Sequence, residues 1–129
     1  MTHYTSDFAL TPEETKQLVV QTLDSDKAED IEIINLSSHS YIADYMVIAT
    51  GRSTRQVVAL AEKLKIRLGL EGIKEVTIEG ADQGDWVILD AGDIIVHLFR
   101  PEVREYYGIE KMWGLTQPIE FKDGGINLQ

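Results

Sequence analysis

Two segments of this 129-residue chain contain residues whose types and spacing could do chemistry. In IATGRS, the end of an apolar run is followed by Gly51 and by Ser53, which stands at the start of a predicted helix. Backbone amides at a helix start can hold a phosphate, so this element could cradle a nucleotide. In the second segment, His97 stands inside an apolar run, where an imidazole could act as a general base or a metal ligand.

The Gly-Ser element resembles the opening motif of nucleotidyltransferases, but the acids that this chemistry requires are not in place. Nucleotidyl transfer uses two or three carboxylates to hold paired metal ions, usually an acid-x-acid pair on the strand after the helix. That strand reads KEVTIEG and has no such pair. Asp30 and Glu32 have the spacing but precede the Gly-Ser element. We therefore interpret the element as part of a fold whose catalytic half is missing.

His97 lacks the neighbours that a catalytic or metal site needs. His3 and His39 are far from it in sequence, and no carboxylate stands at ligand spacing beside it. The favoured interpretation is a hydrogen-bonded structural histidine at the edge of a contact patch. The chain has no cysteine, which excludes disulfides, thiolate zinc sites and cysteine nucleophiles. We expect no metal site and no cofactor.

The elements that would position these residues alternate between helices and strands. A capping box at Thr11 opens a first helix, a second runs from Ser53 or Thr54 to about Leu68, and a short third helix opens at Pro101. Apolar and alternating runs predict five strands, at 31–36, 45–50, 75–79, 86–91 and 94–99. This order predicts an α/β fold with a mixed sheet of about five strands and flanking helices.

Length and charge limit the organisation and the partners. We expect one domain over 11–113, with a flexible N-terminal segment 1–10 and a polar tail 114–129. The formal net charge of −10 disfavours bare nucleic acid and anionic membranes as partners, and favours neutral or basic ones. The sequence shows no signal peptide or membrane-spanning run, so we expect a soluble, cytoplasmic protein without a membrane partner.

The segment DWVILDAGDIIVHLF predicts a hairpin with two unlike faces. If residues 91–92 form a two-residue loop, the facing pairs are Asp90 with Asp93, Ile88 with Ile95, and Trp86 with His97. Side chains alternate along strands, so one face is purely apolar and predicts a core face, made of Val87, Leu89, Ile94, Val96 and Leu98. The opposite face mixes aromatic, aliphatic and acidic residues.

That mixed face has the composition of a contact patch with an aromatic anchor. From Glu71 to Asp93 there are seven acids and one base, Lys74, so a basic protein surface would be its complement. The alternative is that Trp86 packs under a helix while the aspartates solvate a turn.

Positive charge is concentrated in another segment: five of the twelve basic residues lie on or beside the second helix, namely Arg52, Arg55, Lys63, Lys65 and Arg67. Such a run is most simply a solvated helix face, the alternative being a contact with phosphates.

Two longer blocks, SYIADYMVIATGRSTRQVVALAEKL from Ser40 and EGADQGDWVILDAGDIIVHLFRPEVREYYGIEKMWG from Glu79, resemble the Iojap family of ribosomal silencing factors, RsfS. The ADY-x-VIATG, GDW and D-x-GD-x-x-VH-x-F-x-P-x-x-R-x-x-Y motifs are specific in combination, and the resemblance ends at about Trp113. It implies a nucleotidyltransferase-like fold without transferase activity. It also implies binding to the large ribosomal subunit through its ribosomal protein number fourteen, which sterically blocks small-subunit joining and lowers translation when nutrients are scarce. The free protein would be a homodimer.

The resemblance and the hairpin pattern predict the same partner-binding residues. Trp86 would be the anchor and Ile88 its flank, with Asp90 and Asp93 as charge partners. Three further candidates are His97 at the patch edge, and Asp44 and Tyr45 in the first matching block. The basic helix 53–68 would make at most a peripheral contact with ribosomal RNA. Two other functions stay open: a nucleotide-binding enzyme that uses Ser53, and a dimeric adaptor for another basic protein.

Overall fold

Three helices and five strands form residues 10–36 and 42–111, the parts of the chain that the computed structural model describes. The helices are α1 (Pro12–Ser25), α2 (Thr54–Leu70) and α3 (Pro101–Tyr107), and residues 109–111 add a helical turn. The strands are β1 (Glu29–Asn35), β2 (Tyr45–Thr50), β3 (Thr77–Glu79), β4 (Trp86–Asp90) and β5 (Ile94–Phe99). The predicted polar tail 114–129, and all but the last residue of segment 1–10, lie outside the described residues.

Local signals set the helix starts as expected. Thr11 and Glu14 close the predicted capping box, and the Ser53 side chain caps α2 by accepting the Gln56 N–H. Gly108 ends α3 in the left-handed conformation. β3 is shorter than predicted because Thr77 pairs with Asp90, the last residue of β4. Residues 75–76 therefore extend beyond the partner strand.

The strands pair in the order β1-β2-β5-β4-β3. β2 and β5 are parallel, and the other three pairs are antiparallel. This confirms the predicted α/β fold with a mixed five-stranded sheet. The near-continuous apolar run of β2 lies at an inner position, where residues 46–50 are all buried.

The two faces of the sheet are covered unequally. α1 and α2 pack on the first face and bury it completely at its centre, including the predicted core residues Val87, Leu89, Ile94, Val96 and Leu98. The second face carries a smaller cluster, made of Ile34, Leu36, Ala43, Met46, Ile48, Phe99 and Ile109. α3 has only seven residues, and on this side Trp86, Ile88 and Ile95 stay partly exposed.

A buried arginine connects α3 to strands β1 and β2. The Arg104 guanidinium donates to the Asp30 carbonyl at 2.7 Å and to Thr50 Oγ1 at 2.8 Å, and its Nε donates to Glu110 Oε2 at 3.0 Å. Asp30 lies in the bulge of β1 with a φ of +50°, which turns its carbonyl out of the strand ladder. Arg104 is 8% exposed, so these bonds are shielded from water.

Substituting Arg104→Met should destabilise the fold by about 3 kcal/mol, because the Glu110 carboxylate and the Thr50 hydroxyl would lose a buried partner. The measurement is the free energy of unfolding from urea titration. Arg67→Met is the control, since Arg67 is exposed on α2 and should change stability by no more than about 0.5 kcal/mol. Equal losses in the two variants would contradict the assigned role of Arg104.

Candidate partner-binding surface

The β4–β5 hairpin has the predicted faces but a different register. The facing pairs are Trp86 with Phe99, Ile88 with His97 and Asp90 with Ile95. All three predicted pairings are therefore wrong, namely Asp90 with Asp93, Ile88 with Ile95, and Trp86 with His97. The turn is centred on 92–93 instead of 91–92: the Ala91 N–H donates to the Ile94 carbonyl at 3.0 Å. Gly92 has a φ of +88°, and its N–H donates to Asp90 Oδ1 at 2.9 Å. Each pairing shifts by two residues, which leaves every side chain on its predicted face.

Trp86 is held in a fixed orientation on the second face. Its indole Nε1–H donates to His97 Nδ1 at 3.0 Å. Its ring lies 4.9 Å from that of Phe99 and 4.7 Å from that of Tyr107, between centroids. Trp86 therefore does pack against α3, through Tyr107, and yet part of its surface stays exposed. Packing against a helix is thus observed, and the role of Trp86 as a partner-binding anchor stays a prediction.

His97 is a buried, neutral imidazole. It is 9% exposed, and desolvation lowers its pKa from 6.5 to about 4. Because Nδ1 accepts the indole N–H, the single proton of the neutral ring is on Nε2. The interpretation as a hydrogen-bonded structural histidine is confirmed. Within 10–36 and 42–111, no three acids or histidines are grouped so that they could hold a metal ion.

Carboxylates surround the partly exposed apolar residues. We use the name tryptophan surface for Trp86, Ile88 and Ile95 together with the exposed acids Glu79, Asp90 and Asp93. Glu79 pairs in register with Ile88, which places it beside the apolar residues on the same face. The Asp90 carboxylate also holds the turn, whereas the Asp93 side chain makes no ion pair with another described residue. Asp85 differs from these acids because Arg100 neutralises it at 2.9 Å.

The structure separates Asp44 and Tyr45, the two candidates from the first matching block. The Asp44 N–H donates to the Asp93 carbonyl at 2.8 Å, which joins the start of β2 to the hairpin turn. Tyr45 instead packs with the core of the first face. Its hydroxyl donates to Glu13 Oε1 on α1 at 2.7 Å, and this bond raises the pKa of Tyr45. Its side chain thus lies on the face opposite to Trp86.

The Gly-Ser element has a structural explanation. The Ser53 Oγ accepts the Gln56 N–H at 3.1 Å, and so caps α2. A Cβ at Gly51 would lie 2.9 Å from Val57 Cγ2, so close helix packing requires glycine there. Two of the five basic residues on or beside α2 form ion pairs with acids: Arg52 with Glu29 at 2.7 Å, and Lys63 with Asp26 at 3.7 Å.

Sequence reasoning assigned no role to two residues that shape this side of the sheet. Arg104 anchors α3, and Tyr107 contacts the Trp86 ring. Both residues belong to the R-x-x-Y part of the motif quoted above, and this motif is the feature of the sequence that could have indicated their importance.

The fold and this surface define a small α/β protein with an aromatic and acidic surface on a sheet face that α3 covers only in part. A family model described as ribosomal silencing factor during starvation matches residues 9–128, and so extends past Trp113. The chain belongs to this RsfS family of ribosomal silencing factors. No helix in the described parts of the chain is both long and apolar enough to span a bilayer.

Individual relatives agree with the family assignment. The chain is 55% identical over 112 residues to the ribosomal silencing factor RsfS of Zymomonas mobilis, covering 84% of each chain. It is 31% identical over 94 residues to the chloroplastic protein Iojap of Zea mays, covering 73% of this chain and 41% of that one. A crystal structure of a Chromobacterium violaceum protein superposes with a TM-score of 0.79 at 37% identity, covering 89% of this chain and 95% of that one.

The Trp86–His97 pair should make stability depend on pH. The folded state favours the neutral imidazole, so its contribution is complete above pH 6.5 and is lost as the pH falls towards 4, by about 3 kcal/mol in total. We expect the difference in unfolding free energy between the wild type and His97→Gln to shrink over this range. Measuring the difference removes the effect of the carboxylates, which titrate in both proteins. A difference that stays constant from pH 7 to pH 4 would contradict the buried neutral state of His97.

Proposed function

We propose that this protein represses translation by binding the large ribosomal subunit through its ribosomal protein number fourteen, where it sterically blocks joining of the small subunit. Membership of the RsfS family supports a role at the ribosome. The tryptophan surface is the observation that supports the mode of binding. In this proposal the protein acts in the cytoplasm, under nutrient limitation, and is a homodimer when free.

The chemistry of the tryptophan surface suits a basic protein. Partly exposed apolar side chains around an aromatic residue supply the contact area that is desolvated on binding. The surrounding acids Glu79, Asp90 and Asp93 would meet lysine and arginine side chains, which ribosomal proteins carry in abundance. Asp44 adjoins this surface through its backbone bond to Asp93, whereas Tyr45 would contribute only by supporting β2 from the other face.

The Trp86 anchor is preorganised. Its hydrogen bond to His97 and its contacts with Phe99 and Tyr107 hold one ring orientation before any partner arrives. Binding therefore loses little side-chain entropy at this residue. In this proposal His97 acts by positioning Trp86, because its own ring is almost entirely covered.

A steric mechanism needs no catalytic group. The capping role of Ser53 and the packing role of Gly51 account for the Gly-Ser element without a bound nucleotide. We therefore propose a non-enzymatic protein that uses no cofactor. The remaining alternative is an adaptor for another basic protein, and a binding experiment with isolated large subunits separates the two.

Trp86→Ala should abolish co-sedimentation with isolated large subunits and restore small-subunit joining in sucrose gradients. Truncating a central aromatic anchor costs upward of about 2 kcal/mol, which weakens binding roughly 30-fold or more. Leu70→Ala is the matched control, because Leu70 is an exposed apolar residue on α2, which packs on the opposite face.

Loss of folding is checked separately, because Trp86 also packs against Phe99. Ile88→Lys places a cation beside Trp86 at a partly exposed position, and it should abolish binding while the thermal midpoint stays near that of the wild type. Wild-type binding by folded Trp86→Ala and Ile88→Lys proteins would show that the partner uses another surface. Failure of the wild type to bind large subunits would favour the adaptor.

Asp93→Ala should weaken binding severalfold and make it less sensitive to salt. Exposed charges at the rim of an interface mainly speed association, and salt screens this effect. The measurement is the dissociation constant at several potassium chloride concentrations. Glu62→Ala removes an equally exposed acid from α2 and should leave both the affinity and its salt dependence unchanged. A salt dependence identical to the wild type in Asp93→Ala would argue against a charge contact at the turn.

A further inference from the structure

A cleft beside the tryptophan surface combines aromatic walls with a carboxylate. It lies between the 80–85 loop and α3, and its lining includes Asp82, Asp85, Trp86, Val103 and Tyr107. The Trp86 and Tyr107 rings are 4.7 Å apart between centroids, and Tyr107 is 52% exposed. The cleft therefore presents two aromatic rings that a side chain from outside can reach.

Two glycines fix the loop that forms one side of this cleft. Gly80 and Gly84 have φ angles of +88° and +73°, and the Gly84 N–H donates to the Gly80 carbonyl at 3.0 Å. A Cβ at Gly80 would lie 2.2 Å from the Trp86 carbonyl oxygen, so only glycine fits there. This closed turn places Asp82 in the lining of the same cleft as the aromatic rings.

The charges of the cleft are not balanced internally. Asp85 is neutralised by Arg100, which also pairs with Glu102. Asp82 is exposed and makes no ion pair with another described residue. A carboxylate without an ion-pair partner, lining the same cleft as two aromatic rings, has the chemistry that suits an organic cation.

We propose that this cleft receives one arginine side chain of the basic partner, with its guanidinium stacked on the Trp86 and Tyr107 rings and paired with the Asp82 carboxylate. Arginine suits the cleft better than lysine because its planar group can stack on a ring and hydrogen-bond to a carboxylate at the same time. This inference rests on the proposed function and adds to it the class of side chain that the partner must offer.

The direct test uses a small probe and the full-length protein. In NMR titrations, N-acetyl-arginine methylamide should shift the Trp86 indole N–H and the backbone amides of residues 80–84. The citrulline analogue has the same shape without the charge and should cause much smaller shifts. Asp82→Asn should weaken the arginine response roughly fivefold. Glu71→Gln, at an exposed position beyond the C-terminal end of α2, should not change it. Equal responses to both probes, or shifts confined to other residues, would overturn the proposal.

Binding to large subunits gives the second test. Asp82→Asn and Tyr107→Leu should each weaken co-sedimentation roughly fivefold, whereas Tyr107→Phe, which keeps the ring, should bind as the wild type does. If Trp86→Ala loses binding while Asp82→Asn and Tyr107→Leu keep it, the cleft proposal fails and the proposed function stands. If folded Trp86→Ala binds normally, the placement of the whole surface fails.

Discussion

Unequal covering of the sheet is the constraint from which the rest of the structure follows. β2 and β5 are inner strands, so both of their faces must be shielded from water. α1 and α2 shield the first face with 14 and 17 residues, whereas α3 offers seven on the second. Burial on that side is therefore concentrated near Phe99 and Ile109, and the β4 side of the face stays partly open. The second face is partly exposed near β4 because α3 is short.

A partly open apolar face carries a risk of non-specific association, and polar groups limit it here. The His97 imidazole satisfies the Trp86 N–H, which would otherwise need water, and carboxylates flank the remaining apolar surface. Like charges on two such surfaces repel one another, while a basic surface is attracted. In the proposed binding mode, this acidity would select among partners that the aromatic residue alone would not distinguish.

The faces of the strands could be predicted from the sequence, because side chains alternate with a period of two and a register shift of two residues does not change them. The register could not, since Ala91-Gly92 and Gly92-Asp93 are both acceptable turns. The structure has the second, in which the Gly92 N–H donates to Asp90 Oδ1. The sheet face on which the Tyr45 side chain lies could not be predicted either, because the run YMVIAT is almost continuously apolar and does not alternate. Arg104 bonds to residues 54 and 74 positions away, beyond the reach of any local pattern.

The segregation of charge limits how the molecule can lie on a ribosome. α2 packs on the first face of the sheet and the tryptophan surface lies on the second, so a flat partner bound through Trp86 would not also cover the outer side of α2. A molecule bound through Trp86 would direct α2 away from the basic protein. In that orientation, ribosomal RNA could contact α2 only if a segment of the RNA extended alongside the bound protein. Two of the five cations there are already paired, with Glu29 and Asp26, which reduces the charge available for phosphates. In the proposed binding mode, the main electrostatic attraction would therefore come from the acidic side.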